Sequence, residues 1–137
     1  MFTHLLLPTD GSTHSECAVR LGVRLAAALG ARVTGFAMVH PHGGSAASLP
    51  VGEEETRLAR ARLRFIKEVA NGHGVACEVV LVHGNDPAQS IVRAARELRC
   101  DLVVMGSHGR RGVQALVLGS ETRKVLLDCG VPVLVCR

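Results

Sequence analysis

The sequence predicts an α/β fold, a doubly wound sheet of five parallel strands that forms one domain over residues 1–137. Five short apolar runs alternate with segments of helical periodicity, and parallel strands joined by right-handed helical crossovers satisfy that alternation most economically. The length of 137 residues suits one domain, and 47% hydrophobic with 20% charged residues is typical of a globular protein. This composition excludes an intrinsically disordered chain.

The first half of the chain contains two predicted strands, each followed by a helix. Residues 4–9 and 33–40 are apolar runs of the kind found in strands covered on both faces. The first helix is predicted to end at Gly30, and the second to span about 53–71 after a Gly, Pro and Ser-rich loop at 40–50. The predicted buried faces of these helices are Cys17, Leu21, Leu25 and Ala28, and then Leu58, Ala61, Phe65 and Val69.

The second half contains three predicted strands, at 75–82, 101–105 and 131–136, which are short and rich in β-branched residues. Asp86 is placed to cap the helix that follows the first of these, with Pro at its first position. Ser120 is placed to cap the last helix. The apolar face of the third helix is predicted to be Ala88, Ile91, Ala95 and Leu98.

Charge and composition argue against a nucleic-acid partner and against a membrane protein. The net charge is +4, but residues 53–105 contain eight basic and eight acidic side chains, so their arginines form a solvated helix face. The chain has no Trp or Tyr on which an unpaired base would stack. No run reaches the roughly 18 apolar residues of a membrane span. The first residues lack a secretory signal, and five cysteines without a C-x-x-C pair favour buried thiols in the cytoplasm.

A glycine-bearing segment at 106–120 is the part of the chain that indicates a function. Glycines adopt positive φ and approach a ligand without a Cβ, so their N–H groups can converge on phosphate oxygens. A helix that begins at Gly119 and Ser120 offers its N-terminal amides to an anion, and Arg110 adds positive charge nearby. In doubly wound sheets ligands bind beyond the carboxyl ends of the strands, where the winding reverses. Asp10, after the first strand, is placed there to accept a hydrogen bond from a sugar hydroxyl or a base amine.

The common phosphate-binding motifs are absent, because no Walker A sequence occurs and a single glycine, Gly11, follows the first strand. The motif G-x-x-G-x9-G-[S/T] is present instead, and it resembles the ATP-binding signature of the universal stress protein family. The likeness extends over the whole chain, from PTDGS at 8–12 through DLVVMG at 101–106 to VPVLV at 131–135. It implies a Rossmann-like sheet with the strand order 3-2-1-4-5 and a homodimer that pairs through residues 131–136.

The resemblance also implies the residues of an adenine-nucleotide site. Its ligand would be ATP, ADP or AMP, and any Mg²⁺ would be held through the phosphates alone. Asp10 would contact the ribose or adenine, and the backbone of Val39 would face the adenine edge. Glu121 stands where the family usually has a small apolar residue, and a carboxylate there repels a polyphosphate, which favours AMP or ADP. The other implied contacts are Pro8, Thr9, Met105, Gly106, His108, Gly109, Arg110, Gly119, Ser120 and Thr122.

The expected function is a nucleotide-dependent regulatory or protective module of the stress response, with little or no turnover. No hydrolase motif is present, and His108 lacks a base or carboxylate partner in the sequence. Two alternatives stay open: a slow ATP-hydrolysing or adenylyl-transfer enzyme, and a dimerisation protein of the same fold that binds no nucleotide. At the residue level, Asp10 is also a candidate N-cap of the first helix, His108 a residue that fills the loop, and the glycine segment an ordinary turn.

The last predicted strand supports a dimer on physical grounds as well. Residues 131–136 form a short apolar edge with no later element in the sequence to cover it. Antiparallel pairing with a second copy across a two-fold axis would satisfy the free amides of that edge.

Overall fold

The computed structural model describes residues 1–40, 51–109 and 118–137, and it confirms the α/β prediction. Strands and helices alternate along these residues. The strands are β1 (His4–Pro8), β2 (Arg32–Val39), β3 (Cys77–His83), β4 (Leu102–Gly106) and β5 (Val133–Cys136). The helices are α1 (Thr13–Leu29), α2 (Val51–Gly72), α3 (Pro87–Glu97) and α4 (Ser120–Asp128).

The strands form one parallel sheet with the order β3-β2-β1-β4-β5, as the resemblance implied. In the central strand, Leu5 pairs in register with Val33 of β2 and with Leu102 of β4. The chain therefore builds outward from β1 to β3, returns to the centre at β4 and ends at the β5 edge. The winding reverses between β1 and β4, and the carboxyl ends of these two strands are where a ligand site is expected.

The core consists of two apolar layers, one on each face of the sheet. Leu5 and Leu7 of β1 point to the layer covered by α1 and α2, whereas Leu6 points to the layer that contains Ile91 of α3 and Val125 of α4. All three β1 leucines are fully buried. This burial on both faces explains why the strand is a continuous apolar run rather than an alternating one.

The predicted buried faces of α1 and α2 were right only in part, because Leu25, Phe65 and Val69 pack against the core whereas other predicted residues lie at the surface. Leu21 and Leu58 are 41% and 38% exposed. A Cβ placed at Gly22 would collide with the Leu7 side chain, so α1 lies close against β1. The buried residues are Ser15, Ala18, Val19, Gly22, Val23 and Ala26 in α1, and Ala59, Leu63, Ile66 and Ala70 in α2.

The helix ends confirm two sequence predictions and correct two. Gly30 ends α1 with φ 66°, and the Asp86 carboxylate caps α3 by accepting from the Gln89 N–H at 3.1 Å. The N-cap of α1 is Ser12 and not Asp10. The N-cap of α4 is Gly119 and not Ser120, which is the first helical residue.

The cysteines agree only in part with the expectation that they are buried. Cys100 and Cys136 are buried, whereas Cys17 is exposed on α1. Burial raises the pKa of the Cys100 thiol to about 11, so that this group is protonated at neutral pH. None of the helices in the described segments is long and apolar enough to cross a membrane.

Candidate functional site

A cleft of about 740 Å³ opens at the carboxyl ends of the central strands. Its volume is in the range of small-molecule sites in proteins. The loop after β1, the loop after β4 and the first turn of α4 border it, and these are the segments that the sequence singled out. The predicted site residues that line it are Pro8, Thr9, Asp10, Met105, Gly106, His108, Gly109, Ser120, Glu121 and Thr122.

The remaining predicted residues lie beside the cleft or outside the described chain. The side chain of Val39 is 2% exposed and packs in the layer under α1 and α2, and its carbonyl oxygen accepts from the Gly84 N–H at 3.1 Å. The neighbouring Met38 lines the cleft instead. Gly119 adjoins the cleft, and its N–H donates to the Ser107 carbonyl at 2.8 Å. Arg110 lies outside the described residues.

The turn after β1 is held by its own polar side chains. One Asp10 oxygen, Oδ1, accepts from the Ser12 N–H at 2.9 Å, and the Ser12 hydroxyl accepts from the Ser15 N–H at 3.2 Å. Thr9 Oγ1 accepts from the Gly11 N–H at 3.2 Å and lies 3.1 Å from Ser15 Oγ. These bonds fix the Asp10 carboxylate at the mouth of the cleft, while Ser12 and not Asp10 caps the helix.

The signature glycines are required for close approach rather than for an unusual backbone angle. A Cβ at Gly106 would lie 2.8 Å from the carbonyl carbon of His14 in α1, and one at Gly109 would lie 2.5 Å from Asp10 Oδ2. At Gly119 it would lie 3.2 Å from the Ser107 carbonyl oxygen. Among the described glycines, φ is positive at Gly11, Gly30 and Gly74. The expectation of positive φ in the signature therefore fails at Gly106, Gly109 and Gly119. The glycines bring α1, the β1 turn and the start of α4 together.

The N-terminus of α4 meets the cleft without a side-chain cap. Its N-cap is Gly119, and no side-chain hydrogen bond caps the helix in the described chain. The Thr122 hydroxyl donates to the carbonyls of Gly106 and Ser107 at 3.0 and 3.3 Å, which ties the first turn of α4 to the end of β4. The first-turn amides and the positive end of the helix dipole are therefore available to an anion in the cleft.

His108 is packed into the loop that precedes the undescribed segment. The side chain is buried, and its Nδ1 lies 3.0 Å from the Ser107 hydroxyl. Its ring centroid lies 5.4 Å from that of His14. These contacts favour a role in shaping the loop.

The structure adds lining residues that the sequence did not indicate. Phe36, Met38 and Ile91 give the cleft an apolar wall, and Glu55 and Arg62 reach it from α2. A Cβ at Gly11 would collide with the Arg62 side chain, which therefore lies over the β1 turn. Glu55 and Arg62 are seven residues apart and thus share a helix face. The seven-residue spacing is the one feature of the sequence that groups Glu55 with Arg62. It does not indicate that their face of α2 borders a ligand site.

The described part of the cleft carries more negative than positive charge. Asp10, Glu55 and Glu121 line it, together with the Arg62 guanidinium group. Among the described residues no group of three or more His, Cys, Asp or Glu side chains is arranged to hold a metal ion.

Comparison with known proteins yields one family and many similar structures. Residues 1–137 match the model of the Universal stress protein family. A universal stress protein of Thermus aquaticus is 34% identical over 140 residues, covering all of both chains. A universal stress protein solved in complex with cAMP has a TM-score of 0.77 and 26% identity, over 99% of this chain and 97% of that one. One from Archaeoglobus fulgidus in complex with dAMP has a TM-score of 0.76, with 23% identity over 100% and 98% of the two chains, and shows the shared fold.

Proposed function

The chain belongs to the universal stress protein family, and on this premise we propose that it binds an adenine nucleotide in the cleft at the ends of β1 and β4. The ligand is ATP, ADP or AMP. The protein acts as a nucleotide-dependent regulatory or protective module of the stress response, with little or no turnover. Solved relatives in complex with cAMP and dAMP support an adenine nucleotide as the ligand.

The observation that carries this proposal is the uncapped N-terminus of α4 at the cleft. Helix amides without a side-chain acceptor are a favourable site for a phosphate group. The signature glycines let the loop after β4, the β1 turn and the start of α4 come close together around the cleft. The phosphate is therefore placed against the first turn of α4, next to Ser120 and Thr122.

The rest of the cleft suits a nucleoside. The Asp10 carboxylate is held at the mouth of the cleft. Its oxygens accept hydrogen bonds, and ribose hydroxyls can donate them. The wall of Phe36, Met38 and Ile91 gives an apolar surface for a base. Any Mg²⁺ is held through the phosphates.

A binding module rather than an enzyme is supported by the state of His108. The imidazole lines the cleft, but it is buried and its Nδ1 lies 3.0 Å from the Ser107 hydroxyl, which favours a role in shaping the loop over that of a general base. An ATP-hydrolysing enzyme remains the second candidate function, because carboxylates border the same cleft.

Calorimetric titration with AMP, ADP and ATP, paired with a phosphate-release assay, tests the proposal. We expect binding of at least one nucleotide at micromolar concentration and no release above the buffer rate. Phosphate release above the buffer rate would instead establish an ATP-hydrolysing enzyme. If none of the three nucleotides gave a heat of binding, the remaining hypothesis would be a protein of the same fold that binds other proteins and no nucleotide.

We further propose a homodimer that pairs through β5. This strand is the last in the sheet order, and Val103 to Gly106 of β4 pair with one of its edges. Leu134 of β5 is 38% exposed, and Leu127 on the adjacent helix is 83% exposed. Pairing of two β5 strands would bury apolar side chains and satisfy the amides of the other edge.

A further inference from the structure

Glu121 spans the gap between the N-termini of two helices. It lies in the first turn of α4, and its Oε2 accepts from the Ala88 N–H in the first turn of α3 at 3.0 Å. Its Oε1 accepts from the Lys124 ammonium group at 3.2 Å. Asp86 caps α3 through a different amide, that of Gln89. The Glu121 carboxylate is therefore held in place by hydrogen bonds from α3 and from α4 itself.

The Glu121 carboxylate is fixed at the cleft, so its charge acts on whatever binds there. It lines the cleft together with Ser120 and Thr122, where we place the phosphate. Lys124 offsets only part of this charge, because the side chains of Lys124 and Glu121 are 54% and 38% exposed and the pair is screened by solvent.

The other charged side chains in the described lining of the cleft do not outweigh the negative charge of Glu121. Asp10 and Glu55 are acidic, and Arg62 is basic. A first phosphate gains the amides of α4, whereas each further phosphate brings negative charge towards a carboxylate already bound to α3.

We propose that Glu121 makes the cleft selective for adenine nucleotides with one phosphate group over those with three. This inference rests on the proposed function and names its ligand as a nucleoside monophosphate. Glu121 is a specificity-determining residue: its carboxylate, held at the cleft by the Ala88 N–H and the Lys124 ammonium group, repels the charge of a longer phosphate chain.

Titration of Glu121→Gln tests the proposal. Glutamine keeps an oxygen that can accept from the Ala88 N–H, so the variant removes the charge while preserving the α3–α4 contact. The measured quantity is the ratio of the AMP and ATP dissociation constants, in buffer with a chelator so that Mg²⁺ does not neutralise the phosphates. We expect the wild type to bind AMP more tightly than ATP and the variant to narrow that ratio about tenfold.

Asp128→Asn is the matched control. Asp128 is also a carboxylate of α4, and its Oδ2 accepts from Gln89 Nε2 of α3 at 3.0 Å, but it does not line the cleft. The control removes a charge and perturbs an α3–α4 contact at a distance from the ligand, and it should leave the ratio unchanged. Thermal unfolding of both variants verifies that they are folded.

The outcomes separate the inference from the proposed function. A ratio that narrows in Glu121→Gln and stays constant in Asp128→Asn supports the proposal. Tighter binding of ATP by the wild type, an unchanged ratio in Glu121→Gln, or equal narrowing in both variants overturns it while leaving nucleotide binding in place. No binding of any nucleotide by the wild type overturns the proposed function, and this inference with it.

Discussion

Gly109 lies where the loop after β4 meets the turn after β1. A Cβ at this position would come within 2.5 Å of Asp10 Oδ2 and would displace the carboxylate that we assign to the nucleoside. We expect Gly109→Ala to weaken nucleotide affinity about tenfold, a cost of about 1.4 kcal/mol, measured by calorimetry.

Gly130→Ala is the control for this substitution, since a Cβ at Gly130 meets nothing within 4 Å. It should bind nucleotide like the wild type. Equal affinity of Gly109→Ala and the wild type would remove the Asp10–Gly109 contact from the account of binding.

His4 supplies a pH dependence of stability at the opposite end of β1. The ring is buried, and its Nε2 lies 2.7 Å from Thr34 Oγ1. Burial lowers the pKa of His4 below its ordinary value of 6.5, and Arg32 lowers it further, while Asp101 and Glu78 oppose the shift. The unfolded chain therefore takes up the proton first. The contribution of this neutral ring is complete above pH 6.5 and is lost as the pH falls through the lowered pKa.

His4→Gln isolates this contribution. At pH 7.5 we expect the variant to be less stable by about 1–2 kcal/mol, because a buried, hydrogen-bonded ring is replaced. At pH 5.5 the difference in the free energy of unfolding should be smaller. Urea denaturation of both proteins at the two pH values provides the measurement, and a difference that grows towards acid pH would contradict the lowered pKa.

At the scale of elements, α4 depends on Thr122 for its position. This buried hydroxyl donates to the carbonyls at the end of β4 and thereby sets the distance between the helix and the signature glycines. We expect Thr122→Val to lower the free energy of unfolding by about 1–3 kcal/mol, because the hydrogen bonds of a buried hydroxyl to the Gly106 and Ser107 carbonyls are lost.

Thr122→Val should also weaken nucleotide binding, since the first turn of α4 is no longer held against the loop. Thr122→Ser retains the hydroxyl and should recover most of both properties. Similar losses in the serine and valine variants, measured by urea denaturation and calorimetry, would show that the methyl group and not the hydroxyl positions the helix.

Strands were predictable from the sequence to within a few residues. The apolar face of α3 was also predicted correctly, with Ala88, Ile91 and Ala95 buried, whereas the faces of α1 and α2 were predicted only in part. The buried strands are short, continuous apolar runs bounded by turn residues, a pattern typical of strands covered on both faces. In α1 and α2 the apolar positions allow more than one face, and the large residues Leu21 and Leu58 suggested the wrong one. Close packing of α1 on the sheet selects alanine and glycine instead, as at Gly22 against Leu7. In α2 the buried face includes the large residues Leu63 and Ile66. That selection depends on the distance between elements, which no single segment encodes.

At the scale of the whole molecule, the place of the site was predictable and its full lining was not. The reversal of winding follows from the order of the elements, and it directs attention to the loops after β1 and β4. Arg62 of α2 and Ile91 of α3 reach the same cleft from distant parts of the chain. The contact of Glu121 with Ala88 likewise joins positions 33 residues apart and arises only from the tertiary structure.

The proposed dimer is also a property of the whole molecule. Leu134→Lys places a charge on the exposed face of β5 and should shift the protein to monomers at micromolar concentration, as measured by light scattering. Leu58→Lys on α2 is a matched control, because Leu58 and Leu134 are both 38% exposed. A wild type that is monomeric, or dissociation by both variants alike, would contradict pairing through β5.

The central claim is that one adenine nucleotide lies in the cleft with its phosphate on the first turn of α4. A crystal structure of the protein grown with excess AMP tests it most directly. We expect phosphate oxygens within hydrogen-bond distance of the amides of Ser120 and Thr122, and the base against Met38 and Ile91. A cleft that holds only solvent, or a nucleotide bound elsewhere on the molecule, would contradict the account.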